Sequence, residues 1–532
     1  MLLKILPLAT FLFLIFPIAT SKSEIQAANR NFITIVNPVR SRELWLNKSI
    51  DSLTNQLEAI EQRNLPATWL LTYDILSDHE VIDVFKSKKT NVEIGAFLEV
   101  SENWATDAKV QYKVSDGDYY RPDKVFLSGY SPSDRQKLIK AYLTKFSQVI
   151  GNTPESVGAW YIDANSQYFL SQKGVGIAIT VADQFDTDAE SVWGKYFSMP
   201  YYPSKYNSLE PAKKEKEKIP IVNLQWAQRD PVLGYGKEVK DSRQSFQAND
   251  YVNNGYDFNY FENLLDIYLK NKRTDFNQIS IGLETGQEAV TFASEFEKQL
   301  EKIKTIEENG TVSVVTMRQF AQWYKNRYPN VSPDHFLEKE ESFWYMSPHF
   351  RLGFFKEGND YKIKDFRAYH NQPFRDYYYS DENHYLDRKV PSIIDSLIFT
   401  NQINLGAVSN IQISQNFDQI IIKMDNRVVT VSGKGINLNG AYLTKPNLEN
   451  NSMKRIKTLN LIVLPRSLLI NFLKIFKYSK IGGSSFLGLG LPANQLVGLK
   501  AYAPGIYRFD FQTFSRFRTP ASFIDKWQPW IN

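Results

Sequence analysis

The chain contains no cysteine and only five histidines in 532 residues. The first absence excludes disulfides, thiolate metal sites, a thiol nucleophile and a lipid-anchored cysteine behind an export signal, so stability must come from the core alone. The second is nearly as restrictive. The histidines are His79, His335, His349, His370 and His384, which leaves a single one, in an early loop, for everything ahead of residue 335. A metal held by two histidines and an aspartate is therefore unavailable to that region, and metal-activated water with it. An all-carboxylate Ca²⁺ or Mg²⁺ site at Asp183, Asp186 and Asp188 remains open on composition, with nothing else in the sequence to support it. The expectation is no metal and no cofactor.

Charge of one sign is missing too. Lys and Arg number 63 against 58 Asp and Glu, a net charge of +5 with the two signs interleaved, and nothing in that balance points to nucleic acid. The run Lys213–Lys218 reads as a solvated loop between elements. Repeats and low-complexity tracts are absent. The only long apolar run opens the chain: Lys4 precedes about fifteen apolar residues, broken by Pro7 and Pro17 and followed by polar Ser21 to Glu24 and small Ala27 and Ala28. A full span needs about 20 residues, so residues 1–28 read as an export signal or, if uncleaved, an N-terminal anchor. Membrane contact is expected through that segment alone, and the protein is expected to be secreted or held in the cell envelope.

What the chain has is alternation of strands and helices. Phe32–Pro38, Ala67–Thr72, Val92–Val100, Val157–Ile162, Ile177–Ala182, Ile219–Gln225, Ile279–Leu283 and Val312–Thr316 are apolar runs of strand length. Helical patterns lie between them: Ser49–Asn64, a long one from Ser133 to Ile150 ended by Gly151, one closed by Gly174, another over Tyr260–Lys270, and Arg318–Tyr328. Such alternation predicts an α/β fold, an irregular (β/α) barrel of seven or eight strands over residues 29–332. After Pro333 the pattern turns to β. Phe350–Tyr369 reads as a hairpin about Gly358 and Asn359, Asn410–Val431 holds short β-branched runs split at Asp425 and Asn426, and Ser467–Tyr478 has the spacing of a docked amphipathic helix. Residues 333–532 are expected to form a β-rich, sandwich-like accessory domain.

In a parallel barrel chemistry sits at the carboxyl ends of the strands. The residues there are Arg40 and Arg42, Asp74, Glu99, Asp163, Asp183, Asp230 and Glu284. Carboxylates with arginines and aromatics suit a sugar, and glycoside cleavage requires two carboxyl groups, one protonated and one ionised. Asp183 and Glu284 are the leading catalytic pair, with Asp163 as a third candidate. Asp183 lies close in sequence to Asp186 and Asp188, and like charges raise a carboxyl's pKa; Glu284 sits between Gly282 and Gly286. There are structural alternatives: Asp188 as a helix cap, Glu284 holding an arginine such as Arg229 in an ion pair at the barrel mouth, and a structural role for Asp163. Candidate substrate contacts are Arg40, Glu99, Trp160, Asp188, Trp193, Tyr201, Tyr202, Gln225, Trp226, Asp230, Asn249 and Asp250, the rings for stacking on sugar faces and the polar groups for hydroxyls; the alternative is a self-packed lid.

Several runs carry a resemblance. LPATWLLTYDIL, VEIGAFLEVS, NTPESVGAWYIDA and TVSVVTMRQFAQWYK resemble segments of the polysaccharide deacetylase and related glycoside hydrolase superfamily, over roughly Asn31 to Pro329. The resemblance implies that superfamily's irregular (β/α) barrel. Its deacetylases hold a metal with an aspartate and two histidines, and the matching positions here read Val36 and Asn37 in the first strand and Phe97 and Ser101 at the third. None can do that work. The resemblance therefore favours the carboxylate chemistry of the related glycoside hydrolases. The expectation is an exported, metal-independent glycosidase-type hydrolase acting on polysaccharide or oligosaccharide. The alternatives are a catalytically silent glycan binder or envelope organiser of the same fold, and a deacetylase with an atypical site.

Overall fold

The computed structural model describes residues 30–532 except 88–90, 114–120, 188–189, 234–243, 272, 340–341, 370–385, 398–401, 417–418, 426, 439–440, 444–454, 462–477, 482–483, 488–494, 504–505 and 514–532. The N-terminal run 1–28 and residues 467–477 of the expected C-terminal helix lie outside these.

A strand covered on both faces must be apolar along its length, and β1 (Asn31–Val39) is buried from Phe32 to Val39. Around it the first half of the chain adds β2 (Ala67–Leu71), β3 (Val92–Phe97), β4 (Ser156–Gly158), β5 (Ile177–Val181), an antiparallel pair β6 (Gln184–Thr187) and β7 (Glu190–Trp193), then β8 (Val222–Trp226), β9 (Asn277–Ile281) and β10 (Ser313–Val314). Leaving aside β6 and β7, these make one parallel sheet in the order β9, β1, β2, β3, β4, β5, β8. The short β10 pairs with Phe32 and Ile33 of β1, below the stretch from Ile35 that pairs with β2. The sheet curls until β8 approaches β9, where Gln228 spans the gap: its Nε2 donates to the Gln278 carbonyl at 3.2 Å and its Oε1 accepts from Ser280 N at 2.9 Å. The expected barrel is thus present and nearly closed.

Helices α1 (Asp51–Glu61), α2 (His79–Ser87), α3 (Glu102–Asp107), α4 (Pro122–Val125), α5 (Pro132–Ile150), α6 (Ala164–Ser171), α7 (Ala248–Asn253), α8 (Phe258–Leu269), α9 (Gln287–Thr291), α10 (Ala293–Glu308) and α11 (Met317–Arg327) connect the strands. Local chemistry fixes α5. Ser131 Oγ accepts from Asp134 N, Pro132 opens the first turn, and Gly151 stops the helix at φ 93°. Inside the barrel Phe32, Val36, Leu70, Phe97, Ile177, Ile179, Val222 and Leu224 form one packed core. Its amino-terminal end is sealed by buried Glu93, which accepts from Thr68 Oγ1 at 3.0 Å, from Ser156 Oγ, and from Arg318 N at the start of α11 at 3.0 Å. Access is left to the carboxyl ends.

The second half is β-rich, as expected. Strands β11 (His335–Lys339), β12 (Ser342–Met346), β13 (Phe350–Glu357), β14 (Asp360–Ala368), β15 (Leu386–Lys389), β16 (Ile394–Asp395) and β17 (Ile403–Ala407) are followed by β18 (Ile411–Asn416), β19 (Gln419–Met424), β20 (Arg427–Ser432), β21 (Gly435–Leu438) and β22 (Ala441–Leu443). All but β15 build two antiparallel sheets, β11 to β14 with β16 and β17, and β18 to β22. Ile363, Phe366 and Leu352 of one share a core with Ile420, Ile422 and Val431 of the other, so the two pack as a sandwich. The first sheet is also fastened to the barrel. β15 pairs in parallel with β7, the Trp344 ring stacks on Phe197 at 4.0 Å, and Trp344 Nε1 donates to the Pro231 carbonyl at 2.8 Å. No helix among the described residues is long and apolar enough to cross a membrane.

Candidate functional site

Side chains in a strand alternate between faces. Val36 and Leu70, Phe97, Ile179 and Leu224 face the lumen; carrying each alternation past the strand's end brings Arg40, Glu99, Trp160, Asp183 and Trp226 to the mouth. Glu284 joins them after a bend. Gly282 has φ 153°, and a Cβ there would stand 1.8 Å from the Val36 carbonyl oxygen, so only glycine lets β9 turn so close to β1. The bend is held from beneath. Asn37 Oδ1 accepts from Gln56 Nε2 at 2.9 Å and Leu283 N at 3.3 Å, Gln56 Nε2 also donates to the Leu283 carbonyl at 3.0 Å, and Thr285 Oγ1 donates to Gln56 Oε1 at 2.9 Å. Asn37, with Val36 one of the two first-strand positions matched to the resembled deacetylases' metal-holding aspartate, here buttresses a loop.

Three of the expected residues come together. Arg40 donates through Nε and Nη2 to the two oxygens of Glu99 at 2.8 and 2.6 Å and through Nη1 to Glu284 Oε2 at 3.0 Å. Burial opposes the guanidinium's charge, but Glu99 and Glu284 outweigh it and raise the Arg40 pKa above its usual value. The cluster remains reachable: the side chains of Arg40, Glu99 and Glu284 keep 15, 14 and 23% of their surface open. On the neighbouring strands Phe97 meets the half-buried Trp160 ring edge-on at 5.2 Å, and Trp160 meets Trp226 at 6.4 Å. Phe97 and Trp226 are buried, so Trp160 is the ring of the three that keeps part of its surface open.

A further acid belongs here that sequence reasoning missed. Glu288 follows Glu284 by four residues, in the first turn of α9, and Gln247 Nε2 donates to its Oε1 at 2.8 Å. Part of its surface is open, yet protein packs closely round the carboxyl. That burial, with the charges of Glu284 and Asp250, pushes the Glu288 pKa well up, against the smaller opposing effect of the Gln247 hydrogen bond. The signal was available in E-T-G-Q-E, whose i, i+4 spacing follows the strand end directly.

Most of the other expected site residues are buried against protein. Asp183 is fully buried; its Oδ1 accepts from Gly194 N and Lys195 N at 3.2 and 3.1 Å and its Oδ2 is ion-paired to Arg351 of β13. It is not a partner for Glu284 across an open mouth, because the second half covers it. Asp163 is buried as well, capping α6 through Ser166 N at 2.9 Å and pairing with Arg135 at 2.7 Å. Both corrections have one cause: a charge at a strand end is also where a helix cap or an inter-sheet ion pair is needed. Trp193, Tyr201, Tyr202 and Gln225 are buried, tied respectively to Asp395, the Ser208 carbonyl, the Tyr328 carbonyl, and the Tyr196 and Met199 carbonyls. They are the packed lid, not the stacking platform. Asp230 accepts from Val232 N, Leu233 N and Tyr260 Oη. Asn249 and Asp250 stay half-buried, Asp250 bonded to Arg229 at 3.2 Å and Ser245 at 2.6 Å. Asp188 lies outside the described residues. Among the described residues no group of three or more His, Asp or Glu is arranged to hold a metal.

With this geometry the known relatives can be placed. Residues 117–340 match a family described as a domain of unknown function with a solved structure, DUF3863. A glycoside hydrolase/deacetylase candidate from Parabacteroides distasonis superposes with a TM-score of 0.51 at 18% identity, over 68% of this chain and 90% of that one. The barrel has the glycoside hydrolase/deacetylase fold. A polysaccharide deacetylase candidate from Mycobacterium smegmatis is more distant, with a TM-score of 0.34 at 12% identity over 59% of this chain and 95% of its own. No curated protein matches the chain. The glycoside hydrolase/deacetylase barrel found here therefore matches the fold that the sequence resemblance implied.

Proposed function

We propose that the protein is a glycan-processing hydrolase of glycosidase type, exported through its N-terminal apolar run and working without a metal at the Arg40–Glu99–Glu284 mouth. The observation that carries this is the clamp itself: one guanidinium holds two solvent-reached carboxylates in fixed orientation, at the same barrel mouth to which the alternation of β4 carries Trp160. A preorganised acid next to an aromatic face is what a pyranose ring and its glycosidic oxygen require. Glu284 is the reacting carboxylate in this reading, since Arg40 occupies both oxygens of Glu99 but bonds only Oε2 of Glu284.

The same clamp favours a second reading, a glycan binder without turnover, in which Arg40 and both acids serve only as hydrogen-bonding groups. The test is a screen of the full chain and its Glu284→Gln variant against a polysaccharide panel, following reducing-end release, acetate release and binding. Reducing ends from the wild type but not from the variant support hydrolysis. Binding by both with no product supports the binder, and acetate release without chain cleavage overturns the proposal in favour of a deacetylase.

A further inference from the structure

Glycosidic oxygen is a poor leaving group until it is protonated, so a carboxylate such as Glu284 needs a second group that still carries a proton near neutral pH. Asp183 and Asp163, the acids that sequence reasoning offered, are sealed beneath protein by Arg351 and Arg135. Glu99 has both oxygens on Arg40. We infer that Glu288 is the proton donor of this site, an inference that rests on the mouth being hydrolytic.

The geometry supports the role in two ways. Glu288 stands one helical turn beyond Glu284, and Ala289 N donates to the Glu284 carbonyl at 3.1 Å, so the two carboxyl-bearing residues are tied into a single turn at the end of β9. The charged groups around it are mostly acidic. Glu284 and Asp250 face it, Glu284 sharing Arg40 with Glu99 and Asp250 paired with Arg229, while Gln247 donates an amide hydrogen bond to Glu288. A carboxyl crowded by two anions holds its proton. The Gln247 hydrogen bond to Oε1 and a backbone hydrogen bond at Glu284 favour the charged form, and burial with the two neighbouring anions outweighs them.

The step balances without an outside reagent. Glu288 Oε2 gives its proton to the glycosidic oxygen as the bond to the anomeric carbon breaks, the electron pair leaving with that oxygen. Water attacks the anomeric carbon and loses a proton to Glu284. Transfer of that proton back to Glu288 through solvent restores both groups.

The experiment compares wild type, Glu288→Gln and Gln247→Ala on polysaccharide and on aryl glycosides bearing 4-nitrophenol or 2,4-dinitrophenol as leaving group. Glu288→Gln is expected to lose about 100- to 10,000-fold in kcat/KM on polysaccharide, a loss shrinking towards less than about 10-fold with 2,4-dinitrophenol, which departs without protonation. The basic limb of its pH profile disappears. Gln247→Ala, which removes the hydrogen bond that favours the charged form, moves that limb to higher pH. An unchanged melting temperature in each variant keeps the comparison free of folding effects. A Glu288→Gln loss that is the same for every leaving group, or an unaltered basic limb, overturns the assignment while leaving the hydrolytic reading intact. A wild type that cleaves neither polysaccharide nor any aryl glycoside removes the reading on which it rests.

Discussion

Replacing Arg351 by methionine is expected to destabilise the protein by about 3 to 5 kcal/mol, the range for removing one member of a buried ion pair. Arg351 is wholly buried, and it joins the two halves of the chain. Its Nε and Nη2 donate to the two oxygens of Asp365 at 2.9 and 3.0 Å, and its Nη1 serves both Asp183 Oδ2 and the Lys195 carbonyl, the latter at 2.8 Å. Burial works against the charge, but Asp183 and Asp365 more than offset it and raise the Arg351 pKa. When the cation is removed, Asp365 retains Arg367, whereas Asp183 keeps only the Gly194 and Lys195 amides. The uncompensated charge therefore falls on Asp183. Asp183→Asn together with Arg351→Met removes that charge and should be about 0.5 to 3 kcal/mol more stable than the sum of the two single losses, the span found for directly contacting residues. Urea unfolding followed by tryptophan fluorescence and near-ultraviolet circular dichroism measures all four proteins. A loss under about 1 kcal/mol for Arg351→Met, or strict additivity in the double variant, would refute the claim that this cation locks the sandwich onto the barrel.

Three other outcomes follow from the same structure. His335 is buried against Phe276 and Thr274, and burial pushes its pKa down to about 3. The unfolded chain then binds a proton below about pH 6.5 that the folded one refuses, so stability falls as pH drops through the window from 6.5 towards 3. Urea unfolding should show wild type losing about 2 kcal/mol more than His335→Gln between pH 7 and pH 5, and equal losses would remove His335 as the cause. Gly282→Ala, whose Cβ meets the Val36 carbonyl at 1.8 Å, should cost on the order of 2 to 4 kcal/mol and displace Glu284; a thermal melt unchanged from wild type would show that β9 has room to shift. Trp160→Ala should weaken glycan binding about 10-fold with the fold intact, as loss of one stacking face implies, and calorimetric titration with a bound oligosaccharide would detect it.

The barrel was legible because its signals are local. Apolar runs marked the parallel strands, and Ser131, Pro132 and Gly151 bounded α5 almost to the residue. The lumen-facing alternation that brings Arg40, Glu99 and Glu284 together is also written in each strand's own residues. What sequence reasoning could not supply were partners far away in the chain. Asp183 looked like a mouth carboxylate because Arg351 lies 168 residues further on, and Trp193 looked like a stacking platform because its indole partner, Asp395, is 202 residues away. The pairing of β7 with β15 is of the same kind. Glu288 was missed for a different reason: burial and the charges of Glu284 and Asp250 push its pKa up, and of that enclosure the sequence shows only the spacing.

Those distant partners divide the rim. At β4, β5 and β8, Asp163 and Asp183 each have a buried cation, and Asp230 has two backbone amides and the Tyr260 hydroxyl, so each acid on that side is satisfied within the fold. At β1, β3 and β9 the accounting differs, because Arg40 is shared by Glu99 and Glu284 while Glu288 leans on an amide. Two carboxylates share that one guanidinium and a third carboxyl, Glu288, stands beside Glu284, more negative charge than a partly enclosed site holds easily, and a proton is the lightest way to relieve it. Acid–base chemistry, which needs one carboxyl protonated beside one ionised, therefore has its conditions on this side of the barrel, while on the other side the sandwich has turned the strand-end acids into fastenings.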